Sequence, residues 1–277
     1  MWGLSYLSSW VFQTPKTYQP KHIYNLKRQP DDIRDYQFEE DALRFYSTLP
    51  DKFSLREEMP PVLDQGKLGS CVSNATANAL QYCLKKEHEI EFAPSRLYMY
   101  YYTRLIEGNV GEDTGCVIRD AMKELRTYGG CHESIWPYDI SQFTKRPSNK
   151  CTREGRSHLD GFKYLAVRQN LNSIKQAISN GFPIIFGVDV YESFESDDAM
   201  ETGNIPMPNT SREQLLGGHC ILLCGYNDST KLFTFQNSWN TGTPEHPIGD
   251  AGFFTLPYEY VLNKNLASDF WVVSFWK

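Results

Sequence analysis

No stretch of this 277-residue sequence reaches the roughly 18 consecutive apolar residues that a bilayer-crossing helix needs, so no helical membrane anchor is expected. The opening run MWGLSYLSSWVFQTPK lacks both an early positive charge and a long apolar segment, and it does not read as a secretory signal. Basic stripes are missing too. The 28 Lys and Arg are scattered singly among 34 Asp and Glu, giving a formal charge of −6 and no surface for neutralising phosphates; nucleic acid is not an expected partner. Internal repeats and low-complexity tracts are also lacking. An even cysteine count is absent: Cys71, Cys83, Cys116, Cys131, Cys151, Cys220 and Cys224 make seven, several inside apolar periodic segments. That usage suggests free thiols in a reducing compartment, with one or two bridges still compatible.

What is present is enough apolar residue, 40%, to bury a core in one large domain or two half-sized ones. Residues 1–48, including KRQPDDIRDYQFEED, show no sustained helical or strand period and read as a separable leader. From residue 49 the chain reads differently. A proline-marked extended stretch leads to a helix at 71–86, with Val72, Ala75, Ala79, Leu80 and Cys83 on its apolar face. Helices are expected at 94–106, with Pro94 near its start, and at 117–128, stopped by Gly129-Gly130. After an irregular stretch at 141–160, the runs PIIFGVDVY, HCILLCGY, KLFTFQNSW, AGFFTL and DFWVVSF read as strands, with one helix near 171–180. A helical half (49–160) followed by a sheet half (161–277) predicts an α+β architecture of two lobes with a cleft between them.

Three short stretches carry reactive groups. In DQGKLGSCVSNATANAL, Cys71 stands where the helix begins, and unpaired N–H groups with positive partial charge favour a thiolate there. Gln65, six residues earlier, offers an amide donor that with the Cys71 N–H could form an oxyanion hole. In GGHCILLCGYND, His219 opens an apolar strand. Strand alternation sends His219 and Cys220 to opposite faces, which argues against zinc. In FQNSWN, the side-chain oxygen of Asn237 can orient a histidine ring, and Trp239 can shield that bond. Taken singly, each has an ordinary reading: a small core residue, a satisfied core histidine, a turn. Together, the order Gln65, Cys71, His219, Asn237 is far more specific than any one member.

DQGKLGSC, GGHCILLCGY and QNSWNTG resemble the three active-site blocks of papain-like cysteine peptidases, the cathepsin family. His219 and Asn237 lie 148 and 166 residues after Cys71, slightly beyond the roughly 130–150 of that family's pattern, as loop insertions would give. The resemblance runs from about Leu49 to the C-terminus; DTGCVIRDAMKELRTYGG is similar to the family's glycine-rich substrate wall and its following helix. It implies a papain-like two-lobed fold, with a helical lobe and an antiparallel sheet or barrel lobe. It implies a thiol endopeptidase needing no metal or cofactor: Cys71 as nucleophile, His219 as base and acid, Asn237 as orienter and Gln65 as oxyanion donor. Gly115, Cys116, Gly218 and Trp239 would line the peptide cleft. A Cys71–His219 ion pair with a depressed thiol pKa is expected. An acyltransferase using the same triad and a silent peptide-binding module are the alternatives.

The pattern departs from the family's usual Cys-Gly-Ser-Cys-Trp, since Leu68 and Val72 replace the first cysteine and the tryptophan. The expected bridge partner aligns with Asp113, so both ends of that disulfide are missing. This resembles the bacterial and large-DNA-virus branch and fits a cytoplasmic or virion setting. Asp269 aligns at or next to the floor of the main specificity pocket, where a cathepsin B-like enzyme carries an acid; this implies tolerance of a basic residue two places before the scissile bond. The leader is shorter than a usual family propeptide and lacks a long amphipathic helix, yet it is expected to lie over or near the cleft in cis before processing.

Overall fold

Among the described residues, the first element is a strand of the sheet. Lys52–Ser54 (β1) pairs antiparallel with the later strand Leu215–Asn227, so the helical half does not begin cleanly at residue 49. This is the structure of a computed structural model, which describes residues 18–30, 32–38, 49–155 and 161–275. Residues 1–17, 31 and 39–48 of the expected leader lie outside the described residues.

The helices of the first half follow the expected spans closely: Cys71–His88 (α1), Arg96–Glu107 (α2) and Ile118–Tyr128 (α3). Ser95 caps α2 by accepting the Tyr98 N–H, and α2 ends on Gly108 at φ 79°, a left-handed stop. Helix α1 is buried on all sides over its first ten residues rather than on one apolar face. Small residues make this fit: Ala75, Ala77 and Ala79 alternate with Ser73, Asn74, Thr76 and Asn78. The polar members find partners in the core. Asn78 donates to Gln236 Oε1 at 2.8 Å, and Gln236 donates onward to the Pro60 carbonyl at 2.6 Å.

Beyond α3 the expected irregular stretch contains a short helix, Asn149–Gly155 (α4). Cys151 of α4 is bonded to Cys131, closing a loop with a sequence separation of 20. The link contributes about 3 kcal/mol by the loop-entropy relation. Two of the seven thiols are therefore not free, and the other five are buried.

The second half supplies Lys163–Ala166 (β2), Leu171–Ser179 (α5), Ile184–Tyr191 (β3) and Asp197–Thr202 (α6). The long strand Leu215–Asn227 (β4), Leu232–Gln236 (β5), Phe253–Pro257 (β6), Tyr258–Leu262 (α7) and Ala267–Ser274 (β7) complete it. The sheet order is β2-β7-β3-β4-β5-β6 with β1 beside β4, and every strand pair is antiparallel. Helix α1 lies against β4 and β7, so its N-terminus is delivered to the sheet. Register places His219 opposite Val188 and Cys220 opposite Gly187, and β5 runs back beside β4 to end just before Asn237. The α+β fold thus brings a helix start, a mid-strand residue and a strand exit to one place.

Candidate active site

Cys71 is the first residue of α1 and fully buried. The backbone of Cys71 itself, of Val72 and of Cys220, the residue after His219, lies close enough to its sulfur to favour the thiolate. Nucleophile loop and central strand therefore meet at the thiol. His219 is buried, and its Nε2 lies 2.9 Å from Asn237 Oδ1. The same Oδ1 accepts the Ser238 N–H at 2.8 Å, which fixes it as the acceptor end of the amide. Nε2 must then carry the proton. Nδ1 keeps a lone pair and has no hydrogen-bond partner, the state required of a base.

Trp239 stacks on the His219 ring at 5.0 Å and 17°, covering the His219–Asn237 bond as its sequence position suggested. Gln65 is buried; Ser238 Oγ donates to its Oε1 at 2.7 Å, and its Nε2 donates one hydrogen to the Leu68 carbonyl at 3.1 Å. These two bonds fix the amide, and the second Nε2 hydrogen remains for an oxyanion. Ser238 was not singled out by its sequence context, since Asn-Ser after a strand is an ordinary turn.

Where the family resemblance implies a disulfide, a carboxylate is at work. Asp113 accepts the Gly69 N–H on both oxygens at 3.1 Å and also takes the Tyr100 hydroxyl proton. The Tyr100 oxygen in turn accepts the Gly115 N–H at 3.2 Å. Asp113 thus ties the loop before Cys71 to the Gly115 loop without sulfur. Replacing it strands the buried Tyr100 hydroxyl and the Gly69 N–H, so Asp113→Ala should lower unfolding free energy by about 2–3 kcal/mol in urea titration. An unchanged midpoint would show the clasp to be idle.

The cleft is occupied by the chain's own leader. Leu26 donates its N–H to the Gly218 carbonyl at 3.0 Å, and Lys27 donates to the Cys116 carbonyl at 3.3 Å. Gly115, at φ 66°, lies so close to the leader that a Cβ there would sit 1.9 Å from the Asn25 oxygen. Gly115, Cys116 and Gly218 therefore meet an extended chain, through backbone in the latter two cases. Leu26 projects over Gly187, where a Cβ would approach Leu26 Cδ2 to 2.6 Å. Tyr24 meets the His219 ring edge-on at 5.7 Å, and His22 stacks on the other side of the site against Trp239 at 4.0 Å. Farther along, Phe38 and Tyr36 bond to Ala166 of β2, and Asp35 pairs with Arg119 at 2.6 Å.

Covering the site reverses the expected electrostatics. Burial pushes the Cys71 thiol up to about 11 and His219 down to about 4, so thiol and imidazole are both neutral here. The expected depressed thiol and ion pair are not the state of the covered site, because desolvation under Tyr24 and the leader outweighs the helix N–H groups.

Asp269 adopts φ 59°, and its carboxylate accepts from Ser268 Oγ at 3.1 Å and from the Gln29 N–H at 3.4 Å. Arg28, the nearby leader cation, binds Asp189 and the carbonyls of Lys264 and Asn265 instead.

Comparison with known proteins agrees with this geometry. Residues 49–268 match the papain family cysteine protease description. An uncharacterized peptidase C1-like protein of Acanthamoeba polyphaga mimivirus is 38% identical over 239 residues, covering 83% of this chain and 73% of that one. Cathepsin K of Mus musculus is 26% identical over 227 residues, 79% of this chain and 62% of that one. Among solved structures, xylellain, a cysteine protease from Xylella fastidiosa, superposes with a TM-score of 0.82 at 34% identity, over 95% of this chain and all of that one. Procathepsin L 3 of Tenebrio molitor shares the fold at 20% identity and TM-score 0.65, over 87% of this chain and 74% of that one. With its helix-borne cysteine, its histidine oriented by asparagine, and a family match over most of its length, the chain belongs to the papain family of cysteine proteases.

Proposed function

We propose that this chain is a thiol endopeptidase silenced in cis by its leader, with Cys71, His219, Asn237 and Gln65 in the roles their sequence blocks suggest. The observation that carries the chemistry is the pinned tautomer of His219, a base with its lone pair free on the strand whose next residue, Cys220, adjoins the Cys71 thiol. In the uncovered site His219 Nδ1 takes the thiol proton, and the thiolate then attacks the scissile carbonyl carbon. The resulting oxyanion lies between the Cys71 N–H and the free Nε2 hydrogen of Gln65, and each such donor contributes about 3 kcal/mol to the barrier reduction. His219 then passes its proton to the leaving amine, giving a thioester on Cys71. Water, deprotonated by the same Nδ1, cleaves the thioester and restores the thiol.

This proton path sets the direction of a substrate. The leaving amine must lie on the His219 and Trp239 side, and the acyl part on the Gly115 and Cys116 side. The leader runs the other way, from His22 on Trp239 to Lys27 on Cys116. Reversed polarity supports the reading that the leader occupies the cleft without being cut.

The acyl-side pocket over Gly187 receives Leu26, a burial worth about 2 kcal/mol, which favours an aliphatic residue in substrates. Tolerance of a basic residue there, through Asp269, is the finer proposal. It predicts that Asp269→Ala selectively weakens hydrolysis of Arg-containing dipeptide reporters relative to Phe-containing ones. A Phe preference in the parent enzyme that survives Asp269→Ala would sink it. Peptide hydrolysis by the chain lacking residues 1–30, read by product mass, tests the activity itself. Dependence of rate on added amine would favour the acyltransferase reading.

Acid should loosen the leader. Burial holds His22, stacked on Trp239, at about 4, opposed there by Asp64 and reinforced by Lys21. The sealed site resists protons that exposed imidazoles bind. Its stability is therefore full above about 6.5 and falls as pH drops from there towards 4. Amide protection at Leu26 and Lys27, corrected for intrinsic exchange, should drop about 100-fold between pH 7 and 4.5. Constant protection would contradict the argument.

A further inference from the structure

We infer that Glu195 makes this protease selective for a cationic residue, Lys or Arg, just after the scissile bond, an inference that rests on the protease reading above. Glu195 ends the 3-10 turn Glu192–Glu195 that follows β3, and it is fully buried. The turn is held rigidly: Glu213 accepts the Ser193 N–H at 2.9 Å and the Asn209 N–H at 2.6 Å. The neighbouring Phe194 packs edge-on against Trp239 at 6.0 Å, which places Glu195 on the leaving-group side of the site.

Both Glu195 oxygens are used, and both partners belong to the leader. Oε1 accepts the Lys21 backbone N–H at 2.7 Å, and Oε2 accepts the Tyr24 hydroxyl at 2.7 Å. Tyr18 lies near it too, its hydroxyl pushed above the usual phenol range by burial and by the Glu195 carboxylate. Among the described residues, no hydrogen bond to this carboxylate comes from the body of the protein. Next to it, Asp197 receives Lys21 Nζ at 2.6 Å, so a lysine ammonium already stands beside this wall.

Departure of the leader takes every one of these donors away at once. What is left is a carboxylate next to Phe194 and Trp239 that takes no hydrogen bond from the described body of the protein, at a high cost if it stays unpaired. A substrate restores the bonds only by bringing donors of its own. An ammonium or guanidinium does so with charge-assisted bonds roughly twice as strong as neutral ones, a tyrosine hydroxyl does so more weakly, and an aliphatic residue not at all. A carboxylate at that position meets like charge. The leader's own Lys21 and Tyr24 satisfy this wall in the same chemical terms, as a reversed mimic of the leaving-group side of a substrate.

The test uses the chain without residues 1–30, with active enzyme titrated by an epoxide that traps the Cys71 thiol. Matched peptides share one acyl segment and differ only after the scissile bond, with Arg, Lys, Tyr, Leu or Glu there. Arg and Lys should exceed Leu by about 10- to 100-fold in kcat/KM, with Tyr between them and Glu lowest. In Glu195→Gln the Arg-to-Leu ratio should collapse to within about threefold. Equal rates for Arg and Leu in the parent enzyme would overturn the inference, as would an undiminished ratio in Glu195→Gln. If that variant does not fold, the parent series alone decides. A dipeptide reporter with a coumarin leaving group keeps the two readings apart. Reporter cleavage without an Arg preference defeats only the selectivity, whereas no cleavage and no epoxide adduct defeat the protease reading beneath it.

Discussion

Removing residues 1–30 is expected to raise the rate of Cys71 alkylation at pH 7 by at least about 100-fold. With the leader in place the thiol is pushed up to about 11, so its thiolate fraction at pH 7 is about 10⁻⁴. Once water reaches the site, the N–H groups at the start of α1 and a protonated His219 favour thiolate. Thiols so placed titrate at about 3.5–7.5, which makes thiolate the main form. A drop of about five units in pKa also cuts intrinsic nucleophilicity by about 10²-fold, leaving a net gain of about 10² before any steric relief. Residues 32–38, with the Asp35–Arg119 pair and the strand contact to Ala166, stay on β2 in this truncation. The comparison therefore reads the uncovering of the cleft. Equal alkylation rates in the two proteins would mean that the leader does not seal the thiol.

The second large effect is expected from His219→Ala in the same truncated chain, a loss of about 10⁴-fold in kcat/KM for a peptide. Deprotonating the nucleophile, protonating the leaving amine and activating water all pass through Nδ1, so one substitution removes three steps. Asn237→Ala should cost less, because the ring remains and only its orientation and tautomer are released; a loss of about 10²-fold is expected. If Asn237→Ala were the more damaging of the two, Asn237 would be acting as more than an orienter. Both variants are checked by steady-state hydrolysis against epoxide-titrated enzyme.

The candidate constellation was legible because such chemistry demands particular residue types: a cysteine at a helix start, a histidine in a strand, and an asparagine at the end of the next strand. The strands β3 to β7 announced themselves through β-branched and aromatic runs. What was hidden depends on distant partners. Strand β1 is three residues long and exists because β4 offers it an edge; nothing in Lys52–Ser54 signals that. Helix α4 lacks an apolar periodicity of its own and is anchored by the Cys131–Cys151 bond. The thiol pKa failed as a local argument for the same reason, since a segment some fifty residues upstream sets the dielectric around Cys71. Asp113 and Glu195 read as two acids among 34, and only their N–H and hydroxyl partners mark them out.

Asp113 also changes what the missing cysteine and tryptophan mean. Leu68 and Val72 do not leave the nucleophile loop unsupported, because the carboxylate clasp to Gly69 and Tyr100 replaces a covalent tie with one indifferent to reduction. A thiol enzyme built this way keeps its wall and its nucleophile joined under the reducing conditions that its chemistry needs.

The central claim is that Cys71 is the nucleophile, and it is tested most directly by epoxide labelling of the chain lacking residues 1–30, followed by peptide mass mapping. The account predicts one adduct, on the peptide that begins α1, absent in Cys71→Ala and suppressed in the full-length chain. An unlabelled Cys71 in the truncated protein, or an equal adduct in Cys71→Ala, would contradict it.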